Sequence, residues 1–157
     1  MYTTPLAFFI SFRTYGTWLQ GDARGSVDRI NNAFGTPMLP ASEPRQQWER
    51  SELKHPPVMF DEAQRRVIDR TIREVCAHKG WRLLELNVRT NHVHIVLAAA
   101  GPPEPVMNAL KAWSTRRLIE AGLVARGSRV WSRHGSTVYL FKQEQVDEKC
   151  RYVRDCQ

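Results

Sequence analysis

Cysteine is scarce in this chain, and no long apolar run occurs in it. The three cysteines, Cys76, Cys150 and Cys156, form no C-x-x-C pair, which argues against a disulfide framework and against a zinc ribbon. No apolar run reaches the roughly 18 residues of a membrane span. The N-terminal run 6–12 is short and contains a serine, so it predicts a strand and not a secretory segment. We therefore expect a cytoplasmic protein with no membrane partner.

Acidic residues are also in deficit. There are 16 acidic residues against 23 basic ones, for a formal charge of +7, and this balance favours polyanionic partners. Five tryptophans and four tyrosines add flat surfaces on which unpaired bases can stack. With 157 residues, the chain is expected to form one domain over 1–157.

The hydrophobic pattern predicts an α+β fold. Strands are predicted at 5–15, 81–89, 92–97 and 137–141, and helices at 61–79, 104–122 and from 143 onward. The first six elements have the order β-α-β-β-α-β of a ferredoxin-like antiparallel sheet, with helices on one face. The last helix and a ligand would share the other face. The long loop insertion 20–59 is unusual in a compact domain and is expected to dimerise the protein or grip DNA.

The predicted strand at 92–97 carries two histidines. Because strand side chains alternate, His92 and His94 share one face, about 6.6 Å apart along the strand. The alternate positions are Val93, Ile95 and Leu97. This apolar row is suited to packing under helices. The histidine pair can bind a divalent cation if another element supplies a third ligand, but on its own such a pair more often has a structural or merely polar role.

The Asn91–His94 sequence, Asn-His-Val-His, on a ferredoxin-like sheet resembles the HUH motif of the single-tyrosine transposases. These are the single-strand DNA transposases of minimal insertion sequences and the REP-associated tyrosine transposases. In that family the catalytic tyrosine lies on a C-terminal helix, after a Trp-containing loop and a strand. Trp131 and Tyr152 match those positions. The stretches 15–22, 86–94 and 131–137 are also typical of the family, so the resemblance extends over nearly the whole chain.

The resemblance implies a metal-dependent nuclease and strand-joining enzyme. Tyr152 would be the nucleophile and would form a 5′-phosphotyrosine link. His92 and His94 would bind Mg²⁺ or Mn²⁺. Single-stranded or hairpin DNA would be the substrate, and a homodimer the working assembly, with the tyrosine acting in cis or in trans. Tyr139 is the rival nucleophile, on the preceding strand.

The third metal ligand departs from the family pattern. Many members place a glutamine four residues after the tyrosine, whereas Cys156 occupies that position here. Asp155 follows Tyr152 by three residues and Gln157 by five, and positions i+3 and i+4 share the tyrosine's helix face. We favour Gln157, which could reach the site if the helix ends there, over Asp155.

Basic side chains late in the chain are the candidates for DNA phosphate contacts. They are Lys111, Arg116, Arg117, Arg129 and Arg133. His134 could touch DNA or make only a loop hydrogen bond.

Two other functions compete with the transposase. A domesticated sequence-specific DNA-binding protein would have the same fold but would not need both histidines and Tyr152. A ferredoxin-like RNA-binding module would carry aromatic residues on two neighbouring strands of the exposed sheet face, and the histidine face lacks them.

Overall fold

The computed structural model describes residues 4–17 and 57–155. Most of the predicted loop 20–59 lies outside the described residues, as does the predicted ligand Gln157. The domain boundaries 1–157 therefore stay a prediction. None of the described helices combines the length and apolar character that a membrane crossing requires.

Four strands and three helices make up the described part of the chain. They are β1 (Ala7–Arg13), α1 (Glu62–Lys79), β2 (Arg82–Val88), β3 (His92–Ala98), α2 (Pro103–Glu120), β4 (Ser136–Leu140) and α3 (Gln143–Asp155). The sheet order is β2-β3-β1-β4, and every neighbouring pair is antiparallel. This arrangement confirms the predicted ferredoxin-like α+β fold.

Helix α1 begins and ends where its capping residues predict. The Asp61 side chain accepts a hydrogen bond from the Gln64 backbone N–H at 2.8 Å, and the Gln64 side chain accepts one from the Asp61 N–H at 2.9 Å. This capping box satisfies two N–H groups that the first helical turn leaves without partners. Gly80 ends the helix with a left-handed φ of 75°, a conformation that glycine adopts without steric cost.

The sheet has two differently covered faces. On the first, which we call the core face, α1 and α2 cover alternate residues of β1 and β3. Its fully buried members include Phe8, Ile10, Phe12, Ile68, Ile72, Val93, Ile95, Leu97, Leu110 and Leu118. On the second, which we call the histidine face, α3 packs over a smaller apolar cluster. That cluster comprises Ala7, Phe9, Val96, Leu140, Val146 and Val153.

Strand β2 departs from the predicted alternation. The sequence pattern places Leu84 on the same face as Leu86, but a β-bulge shifts the register between Leu83 and Glu85. Leu84 consequently packs in the histidine-face cluster, while Leu83 and Leu86 join the core face. A bulge inserts one extra residue into a strand, and the period-2 pattern does not reveal it.

Candidate active site

The predicted histidine pair lies on β3, on the histidine face. The ring centroids of His92 and His94 are 4.7 Å apart, with an interplanar angle of 66°. In the β1–β3 register, Ser11 is the cross-strand partner of His94 and Arg13 that of His92. The two imidazoles are therefore adjacent at the middle of the sheet.

Each histidine makes a hydrogen bond through Nδ1. His92 Nδ1 donates to Asn91 Oδ1 at 2.7 Å, because an amide oxygen can only accept. Ser11 Oγ lies 2.6 Å from His94 Nδ1. Metal-binding histidines typically engage one ring nitrogen in such a contact and present the other to the ion. The donor set thus fits a metal bound through the two Nε2 atoms.

Burial and charge keep His94 neutral. Only 8% of this residue is exposed. Burial, together with the neighbouring charges of His92, Arg13, Lys149 and Arg89, lowers the pKa of His94 to about 3. The neutral imidazole that results at physiological pH is the form that coordinates a metal ion.

Helix α3 brings Tyr152 to the histidine pair. The Tyr152 ring centroid is 5.8 Å from that of His94 and 6.0 Å from that of Phe9, in edge-to-face orientations. Tyr152 as a whole is 39% exposed. The adjacent Val153 is fully buried, and its carbonyl accepts a hydrogen bond from Asn87 Nδ2 at 2.9 Å, which fixes this turn of α3 on the sheet.

The rival nucleophile Tyr139 and the alternative ligand Asp155 both lie within the described residues. Tyr139 pairs with Phe8 in the β1–β4 register, so it points to the core face, away from the histidines. Asp155 is exposed and pairs with Arg154 at 3.3 Å. Within residues 4–17 and 57–155, no group of three His, Cys, Asp or Glu side chains could hold a metal. The third ligand therefore stays a prediction.

The predicted phosphate contacts on α2 lie behind the core face. Lys111 is only 9% exposed, and its ammonium donates to the carbonyls of Ser132, at 3.1 Å, and His134. These hydrogen bonds hold the loop after α2 over Lys111, and its predicted phosphate contact stays a prediction. Arg116 and Arg117 lie above the Trp113 ring at 5.1 and 5.5 Å.

The loop between α2 and β4 mixes core and surface residues. Trp131 is buried, and its Nε1 donates to the Lys111 carbonyl at 3.1 Å. Arg129 is exposed and lies over the Tyr15 ring at 5.1 Å. Arg133 and His134 are exposed as well. The two arginines are accessible to a DNA backbone, as their predicted role requires.

Three further basic residues surround the site and were not among the sequence candidates. Arg13, Arg89 and Lys149 each lie close enough to lower the pKa of His94. Lys149 precedes Tyr152 by three positions on α3 and therefore shares its helix face. That spacing was visible in the sequence, whereas the positions of both arginines beside the histidines depend on strand pairing.

Comparison with known proteins identifies the family. Residues 54–156 match the family described as "Transposase IS200 like", a region that contains β3 and α3. The chain belongs to the IS200-like transposase family. Its general function is accordingly that of a DNA transposase, an enzyme of DNA recombination. The comparison with curated proteins finds no match.

Solved structures are similar to this transposase in fold. One is a candidate transposase from Deinococcus radiodurans R1, at 15% identity and a TM-score of 0.54, covering 98% of this chain and 92% of that one. Another is a REP-associated tyrosine transposase bound to a REP hairpin, at 9% identity and a TM-score of 0.49, covering 98% and 67%. The first likeness agrees with the ferredoxin-like architecture of the IS200-like transposase described above.

Proposed function

We propose that this transposase cleaves and rejoins single-stranded DNA through a covalent intermediate on Tyr152. The observation that carries the proposal is the packing of the Tyr152 ring against His94, with centroids 5.8 Å apart. Residues from the middle and the end of the chain are brought together on a face that is only partly covered. A protein that only binds DNA requires neither the histidine pair nor an exposed tyrosine beside it.

The reaction is a phosphoryl transfer from DNA to the enzyme. The Tyr152 oxygen attacks phosphorus and forms a tyrosine–phosphorus bond, while the bond to the 3′ oxygen breaks. The phenol loses its proton as it attacks, and the leaving 3′ oxygen gains one. The link retains the energy of the broken bond, so the 3′-OH of another strand can reverse the step without ATP. The 5′ polarity follows from the family resemblance.

We propose Mg²⁺ or Mn²⁺ as the cofactor, bound by His92, His94 and Gln157. The fit rests on the two Nδ1 contacts, with Asn91 Oδ1 at 2.7 Å and Ser11 Oγ at 2.6 Å, which orient both rings as in known metal sites. When bound, such an ion polarises a non-bridging phosphate oxygen and orients the scissile bond. Two imidazoles make Mn²⁺ a better match than Mg²⁺, which prefers oxygen ligands.

The proposed substrate is single-stranded or hairpin DNA, because unpaired bases are accessible for stacking and for recognition of their edges. Arg129 and Arg133 would contact its phosphates from the exposed loop. A homodimer is proposed from the family resemblance.

Covalent trapping tests the proposal. Purified protein is incubated with labelled hairpin DNA and Mn²⁺ and resolved on a denaturing gel. We expect a protein–DNA adduct with the wild type and with the control variant Tyr139→Phe, whose tyrosine faces the other side of the sheet. We expect none with Tyr152→Phe or with His92→Ala/His94→Ala. An adduct that persists in Tyr152→Phe would refute the assigned nucleophile, and tight binding without an adduct on any DNA would favour a domesticated DNA-binding protein.

A further inference from the structure

We infer that Lys149 contacts a DNA phosphate beside Tyr152 and so positions the strand for attack. The inference deepens the proposed function and rests on it. It assigns a positioning role to a residue that neither the sequence motifs nor the histidine pair identify.

The ammonium of Lys149 is held on the histidine face by two aromatic rings. Its Nζ lies 5.0 Å from the Phe9 ring centroid and 5.6 Å from that of Tyr152. Both distances are within the range of cation–π attraction. Lys149 precedes Tyr152 by three positions, so both side chains project from one side of α3. The charge is thereby fixed next to the hydroxyl-bearing ring.

Among the described residues, no carboxylate pairs with the ammonium of Lys149. In residues 4–17 and 57–155, no Asp or Glu oxygen lies within 4 Å of its ammonium, whereas Arg116 and Arg117 both pair with Glu120, at 3.4 and 3.0 Å. A cation that is oriented by rings and lacks a nearby counter-charge is suited to bind an anion.

The surroundings of Lys149 are also positive. Arg13 is the cross-strand partner of His92 in the β1–β3 register. The Arg89 backbone N–H donates to the His92 carbonyl at 2.8 Å, which holds that segment beside the pair. Clustered charges of one sign concentrate counter-ions at a site. The phosphodiester that Tyr152 attacks is the anion that the proposed reaction brings there.

A purely structural role makes a different prediction from a phosphate contact. If Lys149 only supported the Tyr152 ring, its loss would change affinity without changing how affinity depends on salt. A lysine that neutralises a phosphate releases a counter-ion on binding, and each such contact contributes about 0.7 to the slope of log K against log salt for single strands. The salt slope therefore separates the two roles.

The experiment measures binding of a fluorescent hairpin oligonucleotide with a single-stranded flank over a series of KCl concentrations. All proteins carry Tyr152→Phe, which keeps the ring and prevents adduct formation. We expect Lys149→Met to reduce the slope by about 0.7 and Lys149→Arg to retain it. Lys142→Met is the matched control, because Lys142 is exposed and precedes α3, and its slope should equal that of the parent. Urea unfolding verifies that each variant is folded.

Several outcomes would overturn the inference. They are an unchanged slope in Lys149→Met, an equal reduction in Lys142→Met, and no binding even at the lowest salt. Because the assay requires no chemistry, its result is independent of whether the wild type forms an adduct. A reduced slope without any adduct would contradict the proposed function alone. An adduct together with an unchanged slope would contradict only the role of Lys149.

Discussion

The two faces of the sheet differ in what they bury. On the core face, the row Val93, Ile95 and Leu97 is fully buried under two helices. On the histidine face, the neighbouring row consists of His92, His94 and Val96 and lies under one helix. A single strand therefore serves both layers. Apolar burial on the core face stabilises the fold. This stabilisation offsets the desolvation cost of the polar groups on the histidine face.

The difference predicts separable effects of substitution. Residues of the core face should act mainly on the free energy of unfolding, and residues of the histidine face mainly on metal binding and DNA chemistry. Strand geometry makes the separation sharp, since side chains one position apart on β3 point in opposite directions.

The largest expected effect is on stability, from Ile95→Ala. Ile95 is fully buried in the core beneath α1 and α2. Removing three carbons of its side chain therefore leaves a cavity. We expect the free energy of unfolding to fall by about 3 kcal/mol, measured by urea denaturation.

Tyr152→Phe is the control for Ile95→Ala. It removes only a hydroxyl from a residue that is 39% exposed, and its unfolding free energy should stay within about 0.5 kcal/mol of wild type. A loss below about 1 kcal/mol in Ile95→Ala, or a loss above that in Tyr152→Phe, would contradict the division between the faces.

The next largest effect is on metal affinity, and it is tested by the same Ser→Ala substitution on each face. Ser11→Ala removes the hydroxyl that contacts His94 Nδ1 at 2.6 Å. Loss of such an outer contact to a metal-binding histidine typically lowers metal affinity about 10- to 100-fold. We expect a loss in this range for Mn²⁺, measured by isothermal titration calorimetry after chelation of the purified protein.

Ser114→Ala is the matched control on the core face. The Ser114 hydroxyl is buried and has no hydrogen-bond partner within the described part of the chain. Replacing it should raise the free energy of unfolding by about 1 kcal/mol and leave Mn²⁺ affinity unchanged. Equal Mn²⁺ affinities for wild type and Ser11→Ala would argue against the proposed metal site.

The sequence predicts the histidine face better than its surroundings. The alternation of β3 places His92 and His94 together, and the capping residues Asp61 and Gly80 delimit α1, because both signals are local. The bulge at Leu84 arises from strand pairing. The alternation of apolar and polar residues in the sequence does not reveal it. Similarly, Arg13 comes beside His92 only through the register of β1 and β3.

Lys111 shows the same limit for a helix. Its position on α2 predicts exposure, but the following loop, anchored by Trp131, covers it. The periodicity of a helix indicates which residues share a face. It does not indicate which face a segment further along the chain will cover. The order of elements was predictable because it follows from local patterns, whereas the positions of Arg13 and Arg89 beside the histidines depend on long-range strand pairing.

The smallest expected effect is a pH dependence of stability that arises from Lys111. Among the described residues, Lys111 is the one buried lysine or arginine. Burial lowers its pKa from 10.5 to about 8. Between these values the unfolded chain binds a proton that the folded protein does not, so stability should increase with pH. We expect the unfolding free energy of wild type, relative to Lys111→Met, to rise by about 1 kcal/mol between pH 7 and 9, measured by urea denaturation with reductant present.

The exposed control Lys79→Met should show no such pH-dependent difference. A flat difference for Lys111→Met would mean that the hydrogen bonds to the Ser132 and His134 carbonyls keep the ammonium charged, and that this edge of the core face tolerates charge as the histidine face does.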